Sequence, residues 1–246
     1  KGMILCGNGF YLLSLFQSCG SKNVEGRKMK KNLLLIGSEN VVTQQYVDIH
    51  KNNYENIVGI DISDFSKLKL YKKVDYSTLN SIEEVLEYLN SIEFKFTDVV
   101  FTQEYLETSN LFDVKPTEFN SFISKNVQSF LFILQRINDF LESGASIIIL
   151  LRREKRFPRQ PLFDYELSRQ NLEYLVKKIS REYSLYFGND IRLNLISFEL
   201  QDLHSTFFLQ RLNSNRLVNT NDITHILEFL LSEKSKAING QIMHLN

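Results

Sequence analysis

The chain has 246 residues, a length that suits one large α/β domain or two small ones. Lysine plus arginine equals aspartate plus glutamate, at 29 each, so no net charge attracts the protein to nucleic acid or to an anionic membrane. The only cysteines are Cys6 and Cys19, and the four histidines lie far apart, so we expect no metal site and a reducing, cytoplasmic location.

Residues 1–28 are predicted to be an extension that precedes the folded domain. Their apolar run at 10–16 is too short to span a bilayer. A lipoprotein-type signal is a weaker interpretation, because two glycines and an asparagine at 7–9 break the apolar stretch. From Met29, "MKKNLLLIG" leads directly into a strand, and no repeat or low-complexity linker follows. We therefore expect residues 29–246 to form a single domain.

The first half of this domain alternates apolar runs with amphipathic segments. The run at 32–37 ends at a glycine and is typical of a strand buried on both faces of a parallel sheet. Residues 41–52 can form a helix, and 56–61 predicts a second buried strand that ends in an acid. Residues 81–92 begin with a serine cap and show helical spacing of apolar side chains. Residues 97–102 predict another strand.

The second half continues this alternation with longer helices. Residues 117–143 predict one long helix ended by Gly144, with apolar positions around more than one stripe, so we expect burial on several sides or a subunit contact. The run at 145–151 predicts a strand, and 163–183 predicts an amphipathic helix. The remaining predicted elements are a strand, a capped helix and a last strand, at 190–200, 220–233 and 240–246. This order predicts an α/β fold, a doubly wound parallel sheet with helices on both faces, in which ligands bind at the carboxyl ends of the strands.

Several short motifs stand in an order that matches one known family. In chain order they are the glycine turn at Gly37, the acid Asp61, Asp75 in "VDYSTL", Asn126 in "SKNVQSF", "YELSR" from Tyr165 to Arg169, and the closing "INGQIMHLN". Together they resemble the short-chain dehydrogenase/reductase family, from about residue 30 to residue 246. The resemblance implies a Rossmann-like fold and an NAD(P)(H)-dependent oxidoreductase that acts on a small carbonyl or alcohol substrate.

On the cofactor side, the resemblance assigns binding positions to Gly37, Ser38, Asp61 and Asp75. An acid at the Asp61 position holds the ribose 2′-hydroxyl and favours NAD(H) over NADP(H). A turn-forming aspartate at the end of a strand is an equally good interpretation. The turn "IGSENVVT" keeps Gly37, but Val41 and Thr43 occupy the other two glycine positions of the family. A valine tolerates neither a positive φ nor a close phosphate, so the absence of any cofactor is an open alternative.

On the catalytic side, the resemblance implies Tyr165 as the general acid, Arg169 as its cation in place of the family's lysine, and Asn126 as a structural asparagine. A cation beside a tyrosine lowers its pKa, but an arginine cannot lend a proton to a relay. The serine that the family places thirteen residues before the tyrosine is Arg152 here. The alternative is that Tyr165 is a hydrogen-bonded helix residue and Arg169 an ion-pair partner one turn away.

A basic loop is not explained by the family. Its cationic residues follow a predicted strand, where ligand sites gather, and include Arg152, Arg153, Lys155, Arg156 and Arg159. Guanidinium groups bind phosphate and carboxylate in a bidentate manner, which suggests a clamp for an anionic substrate formed by Arg152, Arg153 and Arg156. A solvated basic loop is the alternative.

Two functions from different classes follow. The first is an oxidoreductase with a drifted active site. The second is a catalytically inactive binding or assembly module that keeps the sheet, with a homodimer or homotetramer formed through helices 117–143 and 163–183. Under either hypothesis we expect a small-molecule partner rather than nucleic acid or membrane.

Overall fold

The computed structural model describes residues 31–75, 78–102, 112–152, 163–187, 190–198 and 218–245. In this part of the chain, parallel strands form one seven-stranded sheet with the order β3-β2-β1-β4-β5-β6-β7. The strands are β1 (Lys31–Ile36), β2 (Tyr54–Asp61), β3 (Leu70–Lys73), β4 (Phe96–Thr102), β5 (Leu141–Arg152), β6 (Arg192–Phe198) and β7 (Ile242–Leu245). The predicted doubly wound α/β fold is confirmed.

Helices cover both faces of the sheet. Those described are α1 (Val41–His50), α2 (Leu79–Asn90), α3 (Pro116–Ile123), α4 (Ser129–Ile137), α5 (Phe163–Phe187) and α6 (Thr220–Leu230). Leu34 and Ile36 of β1 belong to the core beneath α2, α4 and α5, whereas Leu33 and Leu35 belong to the core beneath α1 and α6. Alternate residues of a strand point to opposite faces, which is why a strand with helices on both sides consists of an unbroken apolar run.

The chain reverses its direction of winding between β1 and β4. Successive strands run outward from β1 through β2 to β3, and then outward again from β4 to β7. In open α/β sheets the crevice at the carboxyl ends of the strands beside such a switch point is where ligands bind. A ligand-binding site is therefore expected at this edge of the sheet.

The prediction of one helix over 117–143 was wrong at its carboxyl end. α3 and α4 are joined by a π-helical turn, Ser124–Gln128, and α4 ends at Ile137. Residues 141–144 belong to β5, where Leu141 pairs with Phe96, and Gly144 is not a helix stop but a residue of β5 with φ +80°. The apolar pattern could not reveal this boundary, because a buried leucine suits a helix and a strand equally.

Two smaller differences concern β3 and α2. The sequence pattern did not predict β3, whose residues "LYKK" are mostly exposed at the edge of the sheet and lack an apolar run. α2 begins two residues earlier than predicted, and its N-cap is Thr78, whose side chain accepts a hydrogen bond from Ser81 N. None of the described helices has the length and hydropathy needed to cross a membrane.

Candidate functional site

The turn between β1 and α1 (residues 37–43, hereafter the β1–α1 turn) lies at the carboxyl end of β1, beside the switch point. Gly37 has φ +82°, and its N–H donates to the carbonyl oxygen of Ile60 at 2.8 Å. A Cβ at Gly37 would overlap the carbonyl oxygen of Thr102 at the end of β4. The Thr102 hydroxyl in turn donates to the carbonyl oxygen of Gly37. Only glycine fits this position, for reasons of conformation and of space.

The rest of the turn is closed by its own side chains. Asn40 is the N-cap of α1 and accepts a hydrogen bond from Val42 N at 2.9 Å. The buried hydroxyl of Thr43 lies 2.8 Å from the carbonyl oxygen of Asn40 and 3.0 Å from that of Ser38. Val41, the first residue of α1, is 54% exposed. Thr43 therefore fills space inside the turn, while Val41 projects from it.

Asp61, the last residue of β2, is directed at this turn. Its carboxylate is 8% exposed and accepts hydrogen bonds from Glu39 N at 2.8 Å and from Ser63 N at 3.2 Å. The Ser38 side chain is buried against β2, where a Cβ on Gly59 would come within 2.9 Å of its hydroxyl oxygen. The structure thus brings three of the predicted cofactor positions, Gly37, Ser38 and Asp61, into one cluster.

The fourth predicted cofactor position, Asp75, is exposed and follows β3. Its neighbour Val74 donates from its N–H to the carbonyl oxygen of Asp61 at 2.9 Å, so Asp75 lies on the same side of the sheet edge. Burial, and to a smaller degree the nearby charges of Asp61, Glu39 and Asp64, raise the pKa of Tyr71 to about 12.

The predicted catalytic positions lie on α5 and on the π-helical turn that packs against it. Asn126 is buried in that turn and donates from Nδ2 to the carbonyl oxygen of Phe122 at 3.1 Å. A π-turn inside a helix is rare and often marks a functional position. The backbone of Tyr165 lies in α5, but its side chain lies outside the described residues.

Arg169 is held by two acids of its own helix. Its Nη2 lies 2.8 Å from Glu166 Oε2, and its Nη1 lies 2.6 Å from Glu173 Oε1. The arginine side chain is 14% exposed. Burial alone lowers the pKa of Arg169, but the hydrogen bonds and charges of the two glutamates outweigh that effect, so the pKa rises. Arg169, Glu166 and Glu173 together carry a net charge of about −1 at neutral pH, whereas the arginine by itself would carry +1.

The predicted anion clamp falls mostly outside the described residues. Arg152, the last residue of β5, is partly exposed and pairs in register with Phe198 of β6. Arg153 and Arg156 are not among the described residues, so the clamp stays a prediction. Among the residues that are described, no group of three or more histidine, cysteine, aspartate or glutamate side chains is arranged to hold a metal ion.

Comparison with known families decides the identity of this fold. A family model described as enoyl-(acyl carrier protein) reductase matches residues 73–246, more than half of the chain. This chain belongs to the short-chain dehydrogenase/reductase family. The match begins after Asp61, so the β1–α1 turn lies outside the matched residues.

Solved structures of short-chain dehydrogenases share this fold at low sequence identity. A family protein from Francisella tularensis is 20% identical with a TM-score of 0.72, over 88% of this chain and 97% of that one. An enzyme from Leptospira borgpetersenii with bound NAD+ is 18% identical with a TM-score of 0.71, over 88% and 91%. One from Burkholderia cenocepacia in complex with NADP is 13% identical with a TM-score of 0.71, over 88% and 96%. None of the curated proteins compared with this chain matches it.

The β1–α1 turn of this family member does not fit a dinucleotide in the usual pose. That pose uses glycines where the backbone approaches the pyrophosphate, together with N–H groups at the start of the helix. Here the N–H of Val42 is already bonded to Asn40, and Thr43 fills the interior of the turn. The carboxylate of Glu39, in the same turn, accepts an exposed hydrogen bond from Gln44 Nε2 at 2.6 Å.

The acids around Arg169 and the cap of α1 were not singled out from the sequence. The signal for Glu166 and Glu173 is present, because they stand three residues before and four residues after Arg169, and those spacings place side chains on one helix face. Asn40, immediately before the first helical residue, is a standard N-cap. The hydrogen bond from Glu39 N to Asp61 Oδ2 joins residues that are far apart in the chain, so no local sequence pattern predicts it.

Proposed function

We propose that this member of the short-chain dehydrogenase/reductase family does not transfer hydride and serves as a binding or assembly module. One observation carries the proposal: the guanidinium group of Arg169, at the position of the family's catalytic lysine, is bonded to Glu166 and Glu173. A cation that is neutralised in this way cannot favour the ionised form of a neighbouring tyrosine.

The loss is expected to be complete, because catalytic groups act as a unit. The pKa of Arg169 is raised above the ordinary value of an arginine, so its guanidinium group does not release a proton at neutral pH and cannot continue a proton relay. The position of the family's serine is Arg152, so the hydroxyl that would bond a substrate carbonyl is missing. A tyrosine at position 165 with an ordinary pKa near 10 is a weak general acid–base group at neutral pH.

The second candidate is an NAD(P)(H)-dependent oxidoreductase of a small carbonyl or alcohol, with Tyr165 as the acid. Gly37 and Asp61 support it, because the family resemblance assigns cofactor-binding positions to both. Relatives of the same fold were solved with NAD+ and with NADP. In this case Asp61 supports a preference for NAD(H), because an acid there repels a 2′-phosphate.

Turnover separates the two candidates. The oxidation of NADH and of NADPH is followed as a loss of absorbance at about 340 nm. The substrates offered are a panel of aldehydes, ketones and an enoyl thioester. We expect no oxidation above the rate without protein. Wild-type turnover that disappears in Tyr165→Phe would contradict the proposal, because it would show an active acid at that position.

The repair of the relay offers a matched test. The triple variant Arg169→Lys/Glu166→Gln/Glu173→Gln restores a lysine and removes both neutralising charges, while Arg169→Lys alone leaves the acids in place. Because a turn that excludes the cofactor would by itself prevent turnover, the readout is the pKa of the Tyr165 hydroxyl, followed by NMR with labelled tyrosine and assigned with Tyr165→Phe. If neutralisation of the cation contributes to the loss, only the triple variant lowers this pKa relative to the wild type. Equal values in the wild type and in both variants would contradict this reason for the loss.

Assembly is proposed through the layer of α4 and α5. Phe132 on α4 is 37% exposed and Tyr174 on α5 is 60% exposed, which leaves apolar surface on the helices predicted to form a homodimer or homotetramer. Phe132→Glu and Tyr174→Glu are each expected to shift the protein towards monomer in sedimentation velocity. A wild-type monomer at all concentrations would contradict the proposal. The control is Ile49→Glu, because Ile49 is an exposed apolar residue of α1 on the other face of the sheet.

A further inference from the structure

We propose that the β1–α1 turn is closed to phosphates because its own side-chain oxygens occupy the N–H groups to which a pyrophosphate would bind. The protein would therefore exclude dinucleotides for a reason that is independent of Arg169. The proposal goes beyond the loss of hydride transfer, because it concerns binding rather than chemistry. Three separate features of the turn support it.

The first feature is the use of the backbone donors. At the start of a helix, free N–H groups attract phosphate oxygens. Here Asn40 Oδ1 accepts from Val42 N at 2.9 Å, and Asp61 Oδ2 accepts from Glu39 N at 2.8 Å. An amide oxygen and a carboxylate oxygen of the chain thus stand where ligand oxygens would be. A phosphate that entered would have to displace both, at a cost for each broken hydrogen bond.

The second feature is the filling of the turn. Thr43 is fully buried, and its hydroxyl approaches the carbonyl oxygens of Asn40 and Ser38. Val41, the first residue of α1, presents a branched side chain to the outside of the turn, where close backbone approach needs the absence of a Cβ. The inside of the turn is therefore occupied, and its outer surface is apolar at the point where a phosphate would make contact.

The third feature is the charge. The N–H of Glu39 donates to Asp61 Oδ2 at 2.8 Å, so two residues with carboxylate side chains meet at the turn. Like charges within a few ångströms repel each other strongly when water is partly excluded. A pyrophosphate carries negative charge, and the 2′-phosphate of NADP(H) carries more. The closed turn should consequently discriminate against NADPH more strongly than against NADH.

Opening the turn is the direct test. Titration calorimetry with NADH, NADPH and inorganic pyrophosphate compares the wild-type full chain with an opened variant, Glu39→Gln/Asn40→Gly/Val41→Gly/Thr43→Gly. These substitutions remove one charge, one cap, one exposed branched side chain and one buried side chain, and glycine is itself an acceptable N-cap. The matched control is Asn219→Gly, which changes the N-cap of α6 and leaves the β1–α1 turn intact.

We expect no saturable binding of any of the three probes to the wild type or to the control at about 1 mM, which corresponds to a weak affinity. The opened variant should bind NADH at least about tenfold more tightly than the wild type, and NADPH less tightly than NADH because Asp61 remains. Wild-type binding of NADH at about 100 µM or below would overturn the proposal. A folded opened variant that gains no NADH binding would overturn it as well.

If the opened variant does not fold, Glu39→Gln alone keeps the shape of the side chain and removes only its charge. Measurable pyrophosphate binding by this variant supports the proposal, and binding equal to that of the wild type overturns its electrostatic part. NADH binding without any turnover would overturn the closed turn and leave the loss of hydride transfer standing. The two proposals can therefore fail separately.

Discussion

Gly37 and Gly144 have nearly the same backbone conformation, at φ +82° and φ +80°, in opposite surroundings. A Cβ at Gly37 would overlap the carbonyl oxygen of Thr102, whereas a Cβ at Gly144 would meet no atom within 4 Å. A comparison of substitutions at the two glycines therefore distinguishes the free-energy cost of a left-handed backbone from the cost of a steric clash.

Alanine at the two positions should therefore have unequal effects. Gly144→Ala is expected to lower the free energy of unfolding by about 1 kcal/mol, the cost of a left-handed alanine. Gly37→Ala adds overpacking against β4 and should cost about 3 kcal/mol or more. Urea denaturation measures both, and equal losses would contradict the clash at Thr102.

Asp98, buried in β4 near the amino ends of the strands, gives a pH-dependent prediction. Burial raises the pKa of its carboxyl, and the ion pair with Lys31 at 3.1 Å offsets this only in part. The folded state then keeps the proton to a higher pH than the unfolded state. The contribution of Asp98 to the free energy of unfolding is present below the unfolded pKa and falls as the pH rises towards the folded pKa.

Asp98→Asn removes this titration. Relative to the wild type, the variant should gain stability as the pH is raised from about 4 to about 7, because the wild type alone must ionise a buried carboxyl. Urea denaturation across this range is the measurement, and Asp48→Asn on the exposed side of α1 is the control. A stability difference between Asp98→Asn and the wild type that does not change with pH would contradict the raised pKa.

At the level of the helix, Arg169 ties together almost two turns of α5 through Glu166 and Glu173. Ion pairs at these spacings contribute about 0.2–0.5 kcal/mol each, and the partial burial of this group favours the upper end. Arg169→Met also leaves two like charges close together. We expect a loss of about 1 kcal/mol that shrinks in high salt.

The control for this prediction is Arg181→Met, an exposed arginine on the same helix, which should change the stability by less than about 0.5 kcal/mol. Both variants are compared by urea denaturation at low and high ionic strength. A loss in Arg169→Met that salt does not reduce would indicate packing of the aliphatic stem rather than the ion pairs.

The buried strands could be predicted from the sequence because each needs apolar residues on both faces. β3 could not, since an edge strand has only one paired neighbour and its four residues are mostly exposed. The boundary between α4 and β5 was missed because Leu141 is paired to Phe96, a contact that no local pattern encodes. The positions of Gly37 and Asp61 followed from the family resemblance, but the self-bonded state of the turn depends on contacts visible only in the fold.

For the molecule as a whole, the sheet order predicts that the protection of backbone amides from hydrogen exchange decreases from the central strands to the edge strands. β1 and β4 are central and almost fully buried, while β3 is an exposed edge. Amide hydrogens of central strands exchange only when the whole domain unfolds, and those of edges exchange through local opening.

Hydrogen–deuterium exchange followed by mass spectrometry should show peptides of β1 and β4 as the slowest and those of β3 among the fastest. Gly37→Ala, which weakens the junction of β1 with β4, should speed the exchange of both central strands together. Faster exchange confined to β1 would contradict a shared, cooperative unit.

The side-chain contacts within the β1–α1 turn lie mostly in residues 37–44, and Asp61 joins them from the end of β2. Val42 of this turn belongs to the core beneath α1 and α6, so it has to be kept. A segment of equal length that keeps Val42 and places glycines on either side of it could therefore replace the turn without a change in the rest of the domain. Within one scaffold, the ability to hold a dinucleotide can be gained or lost by exchanging a single short peptide.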